Sequence, residues 1–147
     1  MIYSHKNFIS VKKCEEIILH YYLNQDRAFK YRDTYPLNVK NIENLTDKVE
    51  KICKKFDSNV ELDLCQIVKW PTGSKMATHV DTDCNDKFAA LIYLNDNYEG
   101  GETVFSEITS KPEKGKLLIF ENSKLQHSVS EIKNGVRYTL CFWFIKN

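Results

Sequence analysis

Long apolar runs are missing from this sequence. Nowhere in its 147 residues is there a stretch near the ~18 consecutive apolar side chains that a membrane span needs. The opening MIYSHKNFIS has no extended apolar core and no small-residue cleavage site, so neither a signal peptide nor a membrane partner is expected. Glycine and proline are scarce, at five and three residues, and the absence of any low-complexity tract excludes a linker-like chain. A surplus of one charge sign is also missing. Twenty-one basic against 20 acidic residues leave a net charge of +1, so binding of nucleic acid through bulk charge is not expected. The five cysteines (Cys14, Cys53, Cys65, Cys84 and Cys141) are odd in number, widely spaced and without a C-x-x-C pair. That excludes a disulfide framework and a cysteine-rich zinc site, and it predicts small buried thiols in a reducing cytoplasm.

What is present suffices for a core. Hydrophobic residues make up 42% of the chain and aromatics 12%, enough for a domain of this length to fold without covalent or metal staples. We expect one domain over residues 1–147, with helical support over 1–58 and β structure over 59–147. In SVKKCEEIILHYYL, Ser10 stands where an N-cap belongs, and Val11, Cys14, Ile17, Ile18 and Tyr21 recur at helical spacing. LTDKVEKICKKF predicts a second helix, with Leu45, Val49, Ile52, Cys53 and Phe56 on one face. Between the two, Tyr35-Pro36 reads as part of a loop.

From Val60 the period drops from about 3.6 to 2. NVELDLCQIVKW alternates as a strand, and further strands are expected near 76–81, 88–95, 102–105, 116–121, 127–132 and 137–145. Turn residues in NDNYEGG, KPEKG and KNG separate them. Two helices followed by some eight short strands is not a βαβ pattern. The expected class is α+β, with helices packed on a closed or double-sheet antiparallel structure such as a jelly roll.

THVDTDCND places His79 and Asp81 two positions apart, and residues i and i+2 of a strand share a face. H-x-D by itself is common by chance, and a lone strand histidine is ordinarily a hydrogen-bonded core or surface residue. His127, 48 residues downstream, is the other histidine of the β region. Two imidazoles and a carboxylate on one face make the facial triad of non-haem Fe(II) sites. In RYTLCFWFI, alternation puts Arg137, Thr139, Cys141 and Trp143 on one face and Tyr138, Leu140, Phe142 and Phe144 on the other. An inward arginine suits an anion, since its planar fork pairs a carboxylate through two bonds. The ordinary fate of an arginine is a surface carboxylate.

HVDTDCNDKFAALIYLNDNYEGGETVF, KPEKGKLLIFEN, LQHSV and GVRYTLCFWF together resemble the 2-oxoglutarate- and Fe(II)-dependent dioxygenases of the prolyl 4-hydroxylase type, over roughly residues 65–146. The resemblance implies a double-stranded β-helix with His79, Asp81 and His127 as iron ligands. Arg137 would form the salt bridge to the distal carboxylate of 2-oxoglutarate, Tyr93 would hydrogen-bond the same carboxylate, and Thr139 would be a further donor to it. Trp70 would line the pocket, where relatives commonly carry tyrosine, and Trp143 would stand near the cofactor. Cys84, although close to the H-x-D stretch, is kept out of the ligand set, because thiolates suit zinc or iron–sulfur sites better. The cofactors implied are Fe(II), 2-oxoglutarate, O2 and ascorbate. The reaction implied is hydroxylation of a prolyl residue in a peptide or protein, with 2-oxoglutarate converted to succinate.

Two features depart from collagen-type relatives: the anchor is Arg137 where many carry lysine, and the segment after Asp81 is short. Other readings are a hydroxylase of a free amino acid, a nucleic-acid demethylase on the same fold, a non-catalytic jelly-roll binding module and a zinc hydrolase. The demethylase lacks its extra arginines after Arg137, and the zinc hydrolase gives Arg137 and Tyr93 no role.

Overall fold

The structure is a computed structural model that describes residues 1–40, 42, 44–82 and 85–147; Cys84 lies outside the described residues. In chain order the elements are β1 (Ile2–His5), α1 (Val11–Asn24), a 3-10 turn (Gln25–Arg27), β2 (Tyr35–Asn38), α2 (Leu45–Phe56) and β3 (Val60–Trp70). Then come β4 (Met76–His79), β5 (Asp86–Tyr93), β6 (Thr103–Phe105), β7 (Thr109–Ser110), β8 (Leu117–Phe120), β9 (His127–Val129) and β10 (Arg137–Lys146). They form two antiparallel sheets. The major sheet runs β1-β8-β5-β10-β3-β2 and the minor sheet β4-β9-β6-β7. This is the double-stranded β-helix architecture with helices on one outer face.

The helices form where the local signals lie. Ser10 accepts a hydrogen bond from the Lys13 backbone N–H at 3.1 Å, which satisfies one of the open donors of the first turn of α1. Cys14, Ile17 and Tyr21 then fall on one face and are buried. In α2, Leu45, Val49 and Cys53 are buried at the same spacing. Val11 and Phe56, expected on these apolar faces, are instead about half exposed because they sit at helix ends, where the sheet no longer covers them. Phe56 keeps edge contacts with Tyr3 and Phe88.

β10 sits near the middle of the major sheet between β5 and β3, and its two faces do different work. Leu140, Phe142 and Phe144 join the core under the helices, together with Ile67, Ile92 and Ile119. Cys141 and Trp143 pack on the opposite side, against Tyr93, Phe105 and Phe120 between the sheets. Burying each such aromatic or branched side chain contributes roughly 1.5–3 kcal/mol. The helix-side core therefore holds β10 rigidly while its other face is free to carry polar groups.

The first third is not helical throughout. β1 and β2 are edge strands of the major sheet, although their stretches read from the sequence as helical support and loop. Each is four residues long and exists through its pairing, β1 with β8 and β2 with β3. Pro36 cannot donate to a ladder, and it is tolerated because β2 has a partner on one side only.

Candidate active site

His79 ends β4 and His127 begins β9, and the two are cross-strand partners in the minor sheet. Their rings lie 4.4 Å apart between centroids. Each ring is oriented by its own backbone. Nδ1 of His79 lies 2.7 Å from the Ala77 carbonyl, and Nδ1 of His127 lies 2.8 Å from the Leu125 carbonyl. A carbonyl can only accept, so Nδ1 carries a proton in both rings, and in the neutral imidazole the lone pair is then on Nε2. Those Nε2 atoms stand 3.4 Å (His79) and 3.9 Å (His127) from Oδ1 of Asp81. Phe120 packs its edge against the His127 ring at 4.7 Å. Burial lowers the His127 pKa below its ordinary value, with His79 adding to the effect, while the Leu125 carbonyl and Asp81 oppose it. The neutral imidazole that a metal requires is thereby favoured.

Asp81 reaches this cluster by a route other than strand alternation. β4 ends at His79, two residues earlier than the sequence suggests, so Asp81 lies beyond the ladder. Its backbone N–H donates to the Asn122 carbonyl at 2.9 Å, and its Oδ2 accepts from Asn122 Nδ2 at 2.6 Å. Asn122 was not singled out in the sequence. Its only sign there is a second polar residue, behind Glu121, after the apolar run LLIF.

The three ligand atoms of His79, Asp81 and His127 lie within 4.8 Å of one another. Two imidazole nitrogens and one carboxylate oxygen, with part of the surroundings open to solvent, match the donor set of a non-haem Fe(II) site. Asp81 and His79 border a cleft of about 710 Å³, together with Trp143 and the aromatic residues Phe29 and Tyr31 of the segment before β2. A larger hollow of about 920 Å³ lies between α1 and β3 and contains none of the triad. Chemistry, not size, marks the site.

Of the other predicted residues, Trp70 and Tyr93 gather around Arg137, at the start of β10, whereas Trp143 lines the cleft beside the triad. Arg137 is 1% exposed. Its Nε donates to the Gly101 carbonyl at 3.0 Å, and its guanidinium carbon stands 4.7 Å from the centroid of the Trp70 ring and 5.6 Å from that of Tyr93. Nη2 is buried without a hydrogen-bond partner among the described residues, and so are Trp70 Nε1 and the Tyr98 hydroxyl. Tyr98 stands beside Arg137. Burial pushes its phenol pKa up, and the guanidinium pulls the other way. Buried donors are rarely left unpaired in a fold. A buried guanidinium without a carboxylate partner fits a bound carboxylate.

The Tyr93 hydroxyl is engaged elsewhere. It lies 2.7 Å from Thr103 Oγ1 and 3.3 Å from Ser110 Oγ. Thr139 pairs with Tyr93 across the β10–β5 ladder, and its Oγ1 lies 3.3 Å from Cys141 Sγ. Gly101 is required where it is. At φ +66° a Cβ would fall 2.8 Å from Tyr98 Cε2 and 3.0 Å from Arg137 Cδ. His5 and His20 are exposed and remote from the triad in the fold.

Among the described residues no helix is long and apolar enough to cross a membrane. The sequence profile of the 2OG-Fe(II) oxygenase superfamily matches residues 65–145. Prolyl 3-hydroxylase 2 of Rattus norvegicus is 32% identical over 65 residues, which cover 39% of this chain and 9% of the rat protein. The viral collagen prolyl hydroxylase of Paramecium bursaria Chlorella virus-1, solved as its 2OG complex, superposes with a TM-score of 0.81 at 19% identity, covering 99% of this chain and 96% of the viral one. A Pseudomonas putida prolyl-4-hydroxylase superposes with a TM-score of 0.85 at 14% identity, covering 99% and 92%. At these identities the two structures establish the shared fold.

Proposed function

The chain belongs to the 2OG-Fe(II) oxygenase superfamily, and we propose that it hydroxylates a prolyl residue in a peptide or protein, with conversion of 2-oxoglutarate to succinate. The observation that carries this reading is a three-ligand cluster at the edge of the minor sheet, in a fold whose major sheet buries a guanidinium with Nη2 unpaired among the described residues.

In this reading His79, Asp81 and His127 hold the iron. The chemistry the iron supplies there is the oxidative decarboxylation of 2-oxoglutarate by O2, coupled to hydroxylation of a C–H bond. The chain's own part is binding, orientation and shielding. The Ala77 and Leu125 carbonyls keep both imidazoles in the tautomer that offers Nε2. Arg137 pairs its free Nη2 with the distal carboxylate of 2-oxoglutarate, and the Tyr98 hydroxyl and Trp70 Nε1 are further donors beside it. Thr103 and Ser110 hold the Tyr93 phenol against the same pocket, and Thr139 lies next to it across the ladder. Trp143 walls the cleft next to His79 and Asp81.

The prolyl substrate is supported by the similarity to prolyl hydroxylases and by the aromatic residues Phe29 and Tyr31 on the cleft wall, which suit a pyrrolidine ring. We further read helices and sheets as one working unit, because α1 and α2 bury their apolar faces in the core they share with the major sheet. A reducing, cytoplasmic setting agrees with the four described cysteines, all free. Burial pushes Cys14 up to about 11 and Cys53 and Cys65 to about 12, so these thiols stay protonated.

The test is succinate formation from 2-oxoglutarate under O2, with Fe(II), ascorbate and a proline-containing peptide, followed by mass analysis of the peptide. The expected result is succinate together with a peptide heavier by one oxygen, both lost in Asp81→Ala. Hydroxylation of free amino acids alone would refute the prolyl-peptide substrate and leave the reaction class standing.

A further inference from the structure

We propose that Asn122 is the positioning residue that restricts Asp81 to a single metal-facing oxygen; the inference rests on the iron reading of the triad given above. Asp81 lies past the end of β4, so no ladder bond holds its backbone. Asn122 supplies what the strand does not. Its carbonyl accepts from the Asp81 N–H at 2.9 Å, and its Nδ2 donates to Asp81 Oδ2 at 2.6 Å. Backbone and side chain of one residue are thus clamped by backbone and side chain of another, 41 positions away.

The clamp distinguishes the two carboxylate oxygens. Oδ2 is taken by the Asn122 amide, whereas Oδ1 is the atom that faces Nε2 of both His79 and His127. A carboxylate free to turn about its last bond can give a metal both oxygens. With Oδ2 engaged it gives one. The difference matters to an oxygenase, because a second carboxylate oxygen would fill a coordination position that the cosubstrate or O2 has to enter.

Asn122 is 0% exposed, and its own Oδ1 is buried without a hydrogen-bond partner among the described residues. Such an oxygen costs stability. A purely structural role is better filled by an apolar side chain of the same volume, so the contact with Asp81 is the function that retains the amide.

The experiment titrates Mn(II), as a spin probe for the iron site, into the whole chain and into Asn122→Leu and Asn122→Ala. Water-proton relaxation counts the exchangeable waters on the bound ion and gives its affinity, and thermal melts confirm folding. Asn122→Leu removes the donor and the unpaired oxygen together while keeping the branched heavy-atom skeleton, and Asn122→Ala removes them without added bulk. The expected result is one fewer exchangeable water on Mn(II) in both variants, with affinity weakened ~10- to 100-fold. In an Asp81→Ala background, Asn122→Leu should leave Mn(II) affinity where Asp81→Ala alone puts it. An unchanged water count in a folded variant overturns the proposal, whatever the affinity does. Two variants that fail to melt cooperatively would assign Asn122 to folding and overturn it as well. If the unaltered chain bound no Mn(II), the iron reading would fall and the proposal with it, an outcome distinct from the others.

Discussion

The Arg137 guanidinium lies over the Trp70 indole at 4.7 Å, and the two residues are direct cross-strand partners in β10 and β3. The stack leaves Nη2 without a hydrogen-bond partner among the described residues, while Nε is held by the Gly101 carbonyl. One face of the fork is thus fixed and the other left for a ligand.

Removing the stack should loosen the anchor without removing its charge. A cation–π contact of this kind contributes ~0.5–2 kcal/mol. Trp70→Ala should therefore raise the KM for 2-oxoglutarate by roughly 2- to 30-fold. Trp70→Phe should recover the part of the loss that comes from stacking, leaving the part that the Nε1 donor supplies. Steady-state kinetics with 2-oxoglutarate varied separates the two.

The shape of the anchor matters beyond its charge. Arg137→Lys keeps the cation and loses the planar fork, and hydrogen bonds to charged groups contribute ~1.5–3 kcal/mol. We expect the Kd for 2-oxoglutarate, measured by calorimetry with Mn(II) bound, to rise by about tenfold or more. An unaltered Kd would mean that the cosubstrate carboxylate binds elsewhere.

Tyr98 offers a cleaner test of the same pocket, because its hydroxyl is the only atom that Tyr98→Phe deletes. If that buried hydroxyl donates to the carboxylate, 2-oxoglutarate affinity drops by about 1 kcal/mol, roughly fivefold. Protein stability should hold or rise, since the deleted hydroxyl has no hydrogen-bond partner among the described residues. A loss of Tm without loss of affinity would show the opposite.

Lys116 yields a pH-dependent prediction away from the metal. It is buried over the Tyr93 ring, and desolvation lowers its pKa; Lys6 acts in the same direction and Glu113 opposes it. With the folded-state pKa below the unfolded one, the charged amine destabilises the fold at neutral pH, and this cost fades as pH rises through the lowered value towards the ordinary 10.5. Lys116→Met should raise Tm at pH 7, and the gain should shrink in alkaline melts. A gain that persists undiminished at high pH would assign the effect to packing.

Phe142 faces the helices and is 0% exposed. Phe142→Ala should cost ~3–5 kcal/mol, lowering Tm by roughly 10 °C or more. Mn(II) affinity in the folded fraction should stay within a few-fold of the unaltered chain, because the deletion lies on the face of β10 away from the site. A large loss of metal binding would mean that the two faces are coupled.

Local pattern alone determined much of this. Ser10 and the spacing of Cys14, Ile17 and Tyr21 specify α1 through hydrogen bonds and burial that involve only nearby residues. Alternation along 137–144 separates Arg137, Thr139, Cys141 and Trp143 from Tyr138, Leu140, Phe142 and Phe144, and the fold keeps that division. His79, Asp81 and His127 were legible as residue types at suggestive spacing. Their assembly was decided by the tertiary structure. The pairing of His79 with His127 depends on the register between β4 and β9, and Asp81 depends on Asn122, far away in the chain. The edge strands β1 and β2, the engagement of the Tyr93 hydroxyl by Thr103, and the place of Tyr98 beside Arg137 were illegible for the same reason. Periodicity and capping report on neighbours within a few residues, whereas a partner brought in by another strand leaves no mark on the sequence around either residue.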